Sequence, residues 1–219
     1  MKITKLKLLL ALILIGQTII SYGQKIAGIT IPDFKDKYCE FVKQLESGNT
    51  DIDYNEFRNS FLDSKQFNIK EKNKSKYDSL KREVYAQIKK ANYDEVIKLT
   101  QAMLSIDYTS LFAHKYLQQT YKIIGDTANR NKYHDIEFGL LYSIINSGDG
   151  KSCKTSWQVI QIEEEYFILN MLEADLKMQS IDNSENNICD KMEVMEGGKN
   201  KIYYFGVKKV FSKYPKSKD

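Results

Sequence analysis

Between Asp33 and Asn146 apolar residues return every three or four positions and glycine is scarce, the spacing that gathers side chains on one face of a helix. A first helix is expected over about Asp33 to Glu46, with Phe34, Tyr38, Phe41, Val42 and Leu45 on one stripe and Gly48 as its stop. A shorter helix carries Tyr54, Phe57 and Phe61, and a charged linker is expected at residues 70–76. Four further helices follow, from Lys76 to Lys90 and over roughly 93–106, 109–124 and 127–146.

The pattern changes near residue 148. Asn146-Ser147-Gly148-Asp149-Gly150 reads as a helix stop and a turn. Trp157 to Ile162 then runs apolar or alternates like a strand, and Glu163-Glu164-Glu165 opens a helix of about ten residues, where negative charge suits the helix dipole. Strands are expected around Leu176 to Ser180, Cys189 to Met195 and Ile202 to Val207, joined by polar loops at 182–187 and 196–200. The fold class expected is α+β: a helical block over residues 24–148 packed on a small antiparallel sheet with one helix over residues 149–219, the two forming one continuous domain.

The later helices resemble tetratricopeptide repeats, whose turns recur with a period of 34. Ala91-Asn92 stands 34 residues before Gly125-Asp126, and Tyr121 precedes that turn as in the repeat. Val96 and Met103 replace the usual alanines and Tyr108 replaces proline, so the repeat is degenerate. About one and a half to two units are present, fewer than the three an isolated solenoid needs. The helical half must therefore cover its open face with the second half.

Charge and cysteine content alter this picture mainly through the first 23 residues. Lys2, Lys5 and Lys7 precede an apolar run from Leu8 to Ile15, and Ser21-Tyr22-Gly23 offers small residues for cleavage, which together read as a secretory signal peptide. The apolar run is shorter than the about 20 residues a membrane span needs, so a mature chain beginning at Gln24, periplasmic or secreted and without a stable span, is expected. The full chain has 33 Lys plus Arg against 29 Asp plus Glu; losing three lysines leaves 30 against 29, a net of +1. That near-balance removes the main support for nucleic-acid binding. The basic clusters at 70–74 and 213–218 read as solvated turns or tails. Outside the cytoplasm the three cysteines can close one bridge, and Cys153 with Cys189 is the preferred pair because both fall in the sheet-like half; buried free thiols are the competing reading.

Several short motifs occur in order. They are Ser147-Gly148-Asp149-Gly150-Lys151-Ser152 with Thr155 and Val159-Ile160, Glu164-Glu165-Tyr166 with Leu169, Gln179-Ser180, Asp190-Lys191-Met192-Glu193-Val194, and Tyr204-Phe205. With the exported leader and the repeat-like helices, they resemble the bacterial family catalogued as domain of unknown function 4919, across nearly all of the mature chain. Trp157 stands where phenylalanine or tyrosine is expected. The resemblance implies the two-part fold and no activity, because the family is one of unknown function.

Candidate chemistry is sparse. Gly150-Lys151-Ser152 resembles the end of a phosphate-binding loop, yet residue 145 is Ile where that loop needs glycine, and a strand is expected where it needs a helix. His114 occupies a packing position and His134 lacks a second histidine at metal-binding spacing, so no metal, cofactor or catalytic residue is assigned. The three glutamates at 163–165 are read as serving the helix dipole rather than as a catalytic carboxylate pair. The function favoured is a non-enzymatic interaction protein whose helical groove, around His114, Tyr116, Gln118 and Tyr121, accepts an unknown protein or peptide. The alternative is an envelope hydrolase or glycan-binding protein with a pocket where the halves meet, near Asp149, Lys151, Trp157 and Tyr204.

Overall fold

A computed structural model describes residues 28–30, 34–184 and 187–213. The expected signal peptide and the basic tail beyond Lys213 lie outside the described residues. Helix starts follow local capping chemistry. Asp36 accepts from the Cys39 amide at 3.0 Å to open α1 (Lys37–Glu46), and Asp53 accepts from the Glu56 amide at 2.8 Å to open α2 (Tyr54–Asp63). Ser64 ends α2 and caps α3 (Lys65–Lys72) in one step, donating to Phe61 O and accepting from Phe67 N.

Only Asn73 separates α3 from α4 (Lys74–Lys89), so the charged linker expected at 70–76 is helical. The physical reason is distant in sequence. Lys70 is buried, and its ammonium lies 3.6 Å from Glu71 and 3.7 Å from Glu163 in the C-terminal half. A charge cluster alone does not reveal such a partner, and here burial of one lysine replaces the solvated turn.

Next come α5 (Tyr93–Ile106), α6 (Leu111–Ile124) and α7 (Thr127–Ile145), with Ser110 capping α6 and Asp126 capping α7. Each of α4 to α7 packs on its neighbour in sequence, and α2 crosses onto α7. The end of α4 and the end of α6 each carry a residue of positive φ, Ala91 (53°) and Gly125 (81°), in the register that the sequence spacing had marked. Gly139, within α7, allows close approach of α2: a Cβ there would stand 2.2 Å from the Tyr54 ring.

The sheet has the order β1-β4-β3-β2, formed by β1 (Trp157–Gln158), β2 (Asp175–Asp182), β3 (Cys189–Glu196) and β4 (Lys199–Gly206). It is mixed rather than wholly antiparallel, because β1 runs parallel to β4 with Trp157 opposite Phe205. The strand expected from Trp157 to Ile162 is also shorter. Past Gln158 the backbone turns inward, and Ile160 N donates to the Glu164 carboxylate at 2.8 Å instead of to a neighbouring strand. Val159 and Ile160 are buried by that turn, which is why an apolar run imitated a strand.

Helix α8 (Ile162–Met171) lies between β1 and β2, and a short α9 (Lys208–Lys213), absent from the sequence expectations, follows β4. Lys209 and Lys213 of α9 reach Asn59 (2.7 Å) and Asp63 (2.6 Å) on α2, tying the C-terminal helix to the helical half. One hydrophobic cluster runs through both halves, from Phe57, Leu104, Leu117 and Ile144 to Ile168, Met192, Val194 and Phe205. The fold is α+β.

Candidate functional site

Where α4, α6 and α8 meet, the packing leaves a cavity of about 290 Å³. Helix α4 contributes Tyr77, Lys81 and Tyr85, spaced four apart on one stripe. Helix α6 contributes Phe112 and Tyr116 with Lys115, and α8 contributes Tyr166, Phe167 and Asn170. Three rings form a wall: Phe112 and Tyr116 lie 4.6 Å apart, and Tyr85 packs edge-on against each at 5.3 and 5.5 Å. Lys81 is 4.9 Å from the Phe112 ring centre, and Lys115 is 5.3 Å from that of Phe167.

The opposite side is polar. Gln161 Nε2 donates to Thr109 Oγ1 at 2.9 Å, Thr109 donates to Asp107 at 2.6 Å, and Tyr77 hydrogen-bonds Ser110. Burial pushes the Asp107 carboxyl above its ordinary range, against the pull of Lys70 and of its hydrogen bonds to Thr109 and Gln161. A second cavity, also about 290 Å³, lies beside the first and shares Gln161, Glu163 and Tyr166 with it. Lys70 and Lys74 line this neighbour.

The three consecutive glutamates of α8 diverge, since successive helical residues point about 100° apart. Glu163 faces Lys70. Glu164 receives a bidentate bond from the buried Arg58, with Nε at 3.0 Å and Nη2 at 2.6 Å. Arg58 also donates to Gln158 O (3.0 Å) and Ser143 Oγ (3.3 Å), so one guanidinium joins α2, α7, β1 and α8 behind the cavity. Glu165 is fully buried beside Asp190. Burial first, then the Asp190 charge, pushes its carboxyl up to about 9. Asp190 accepts from Gln179 at 2.8 Å, and Gln179 accepts from Tyr166 OH at 2.9 Å, which links this pair to the cavity rim.

The four residues expected to form a helical groove do not share a surface. His114, Gln118 and Tyr121 lie on one side of α6, and Tyr116 projects from the other. His114 is fully buried, bonded through Nε2 to Tyr108 O at 2.8 Å, and burial lowers its pKa to about 4. Tyr121 is buried against Tyr133 with ring centres 5.8 Å apart, and Gln118 hydrogen-bonds Glu137. Only Tyr116 lines the cavity. Core packing thus takes the face on which three of the four residues stand.

Asp149, Lys151, Trp157 and Tyr204 do come together, as a compact corner. Asp149 accepts from Lys151 N and Thr155 Oγ1, Tyr204 N donates to Gly150 O at 2.9 Å, and Trp157 covers Gly150. Gly150 has φ +67°, and a Cβ there would stand 2.8 Å from the Trp157 ring. These four residues line neither of the two cavities. Cys153 is bonded to Cys189 with Cα atoms 5.7 Å apart, and Cys39 is a buried free thiol.

The family model described as a domain of unknown function (DUF4919) matches residues 29–216. The chain belongs to the DUF4919 family. No curated protein and no solved structure matches it. The DUF4919 match takes in both cavities and the Arg58–Glu164 pair. Among the described residues of this DUF4919 chain no helix is long and apolar enough to cross a membrane, and no group of three or more His, Cys, Asp or Glu could hold a metal ion.

Proposed function

We propose that this protein is exported and acts as a non-enzymatic sugar-binding protein, with the cavity between α4, α6 and α8 as its site. The observation that carries the proposal is the pairing of an aromatic wall, Tyr85, Phe112 and Tyr116, with a polar floor of Asp107, Thr109, Ser110 and Gln161. Rings offer flat apolar faces to the C–H face of a pyranose, and amide and hydroxyl groups suit its rim. At about 290 Å³ the cavity falls at the lower end of ligand sites, which span about 300–1,000 Å³, so it suits one or two sugar rings rather than a long chain.

Binding is favoured over hydrolysis because the carboxylates here are engaged within the protein. Glycosidases need two carboxyl groups free to face one bond from opposite sides. Glu164 is held by Arg58, Glu163 faces Lys70, and Asp107 accepts from Thr109.

Titration calorimetry of the chain from Gln24 with neutral mono- and disaccharides tests this. At least one should bind, and Phe112→Ala with Tyr116→Ala should weaken it by tenfold or more, about 1.4 kcal/mol, in the range of lost ring contacts. Absence of binding by every saccharide would overturn the proposal. Export is tested separately by mass spectrometry of the protein recovered outside the cytoplasm, which should begin at Gln24.

A further inference from the structure

We infer that the sugar is anionic, a ring bearing a carboxylate or a sulfate, and that Lys81 and Lys115 receive its charge. This rests on the sugar-binding proposal and adds the sign of the ligand. It follows from which charges lining the cavity already have partners. Glu164 is neutralised by the buried Arg58, Glu163 shares the Lys70 ammonium at 3.7 Å with Glu71 at 3.6 Å, and Asp107 accepts from Thr109. Each of these acids thus already has a partner within the protein.

The two cations are not. Among the described residues Lys81 has no carboxylate within 4.0 Å, and its ammonium lies over the Phe112 ring. Lys115 likewise has no carboxylate within 4.0 Å; it lies over the Phe167 ring and 3.5 Å from Met171 Sδ. The acid its field reaches is Glu137, which is buried, bonded by Gln118 and pushed up to about 7 by burial, so it is only partly charged near neutrality. Two ammonium groups over aromatic faces, neither with a carboxylate within 4.0 Å, are therefore the charges the cavity has to offer a ligand. Lysine is a flexible point charge with three donors, which serves a carboxylate and a sulfate alike.

Titrations of the chain from Gln24 with glucuronate, glucose 6-sulfate, glucose and glucosamine at low salt test the inference. The two anionic sugars should bind at least about tenfold more tightly than glucose, and the gap should shrink as salt rises. In Lys81→Gln with Lys115→Gln the anionic sugars should bind no more tightly than glucose, and Lys81→Arg with Lys115→Arg should keep the gap. Glucose binding with no preference for the anionic sugars would overturn the sign of the ligand and leave the sugar site standing. A preference that survives the glutamine pair in a folded protein would overturn the assignment to these lysines. If neither anionic sugar binds, the inference is overturned, whatever the neutral saccharides do.

Discussion

At the scale of single residues, Glu165 carries the strongest consequence. Its carboxyl is pushed up to about 9 from an ordinary 4.5, so the folded chain keeps a proton that the unfolded chain releases. The stability tied to that proton is fully present below about pH 4.5 and is lost as pH rises toward about 9. Asp190 is also raised by burial and acts in the same direction. His114 acts oppositely: with its pKa lowered from 6.5 to about 4, its contribution is lost as pH falls through that interval. Above about pH 6.5 the carboxyls therefore dominate the slope, at up to about 1.4 kcal/mol per pH unit for one proton. Urea midpoints at about pH 6.5 and 8.5 should fall for the natural chain and fall clearly less for Glu165→Gln; equal slopes would remove the proton from the account. In sequence, Glu163-Glu164-Glu165 suggested only a helix start. Their partners lie on α2, α3 and β3 and leave no local trace.

Elements were legible wherever their signals were local. Asp53, Ser110 and Asp126 cap helices through hydrogen bonds to residues three positions on, so α2, α6 and α7 could be read from short windows. The turn between β3 and β4 at Gly197-Gly198 was equally local. What failed were elements decided by distant contacts: α3, whose Lys70 is buried against Glu163, and β1, cut short by the Glu164 carboxylate. The same holds for the site. Tyr77, Lys81 and Tyr85 repeat every four residues like any helical stripe, and nothing in that spacing tells a cavity wall from a packed face. At this scale the Arg58–Glu164 pair is the joint to test. Arg58→Met should cost about 3–5 kcal/mol in urea unfolding, because it leaves Glu164 charged and buried. Adding Glu164→Leu should restore a large part of that loss; an Arg58→Met variant as stable as the natural chain would show that the pair does not join the halves.

For the whole molecule, the helices and the C-terminal elements share one core, and the cavity exists only because α8 is held against α4 and α6. The two-part α+β arrangement was visible from the change of hydrophobic period near residue 148. The mixed sheet and the α9 contacts to α2 were not, since both depend on where the chain returns after long excursions. That shared core predicts that the two halves unfold as one cooperative unit. Trp157, the single tryptophan, reports from the sheet, and circular dichroism at helical wavelengths reports chiefly from α1 to α7. One urea titration of the chain from Gln24, followed by both signals, should give coincident transitions with a common midpoint and slope. Two separated transitions would mean that the halves unfold independently and would contradict the account.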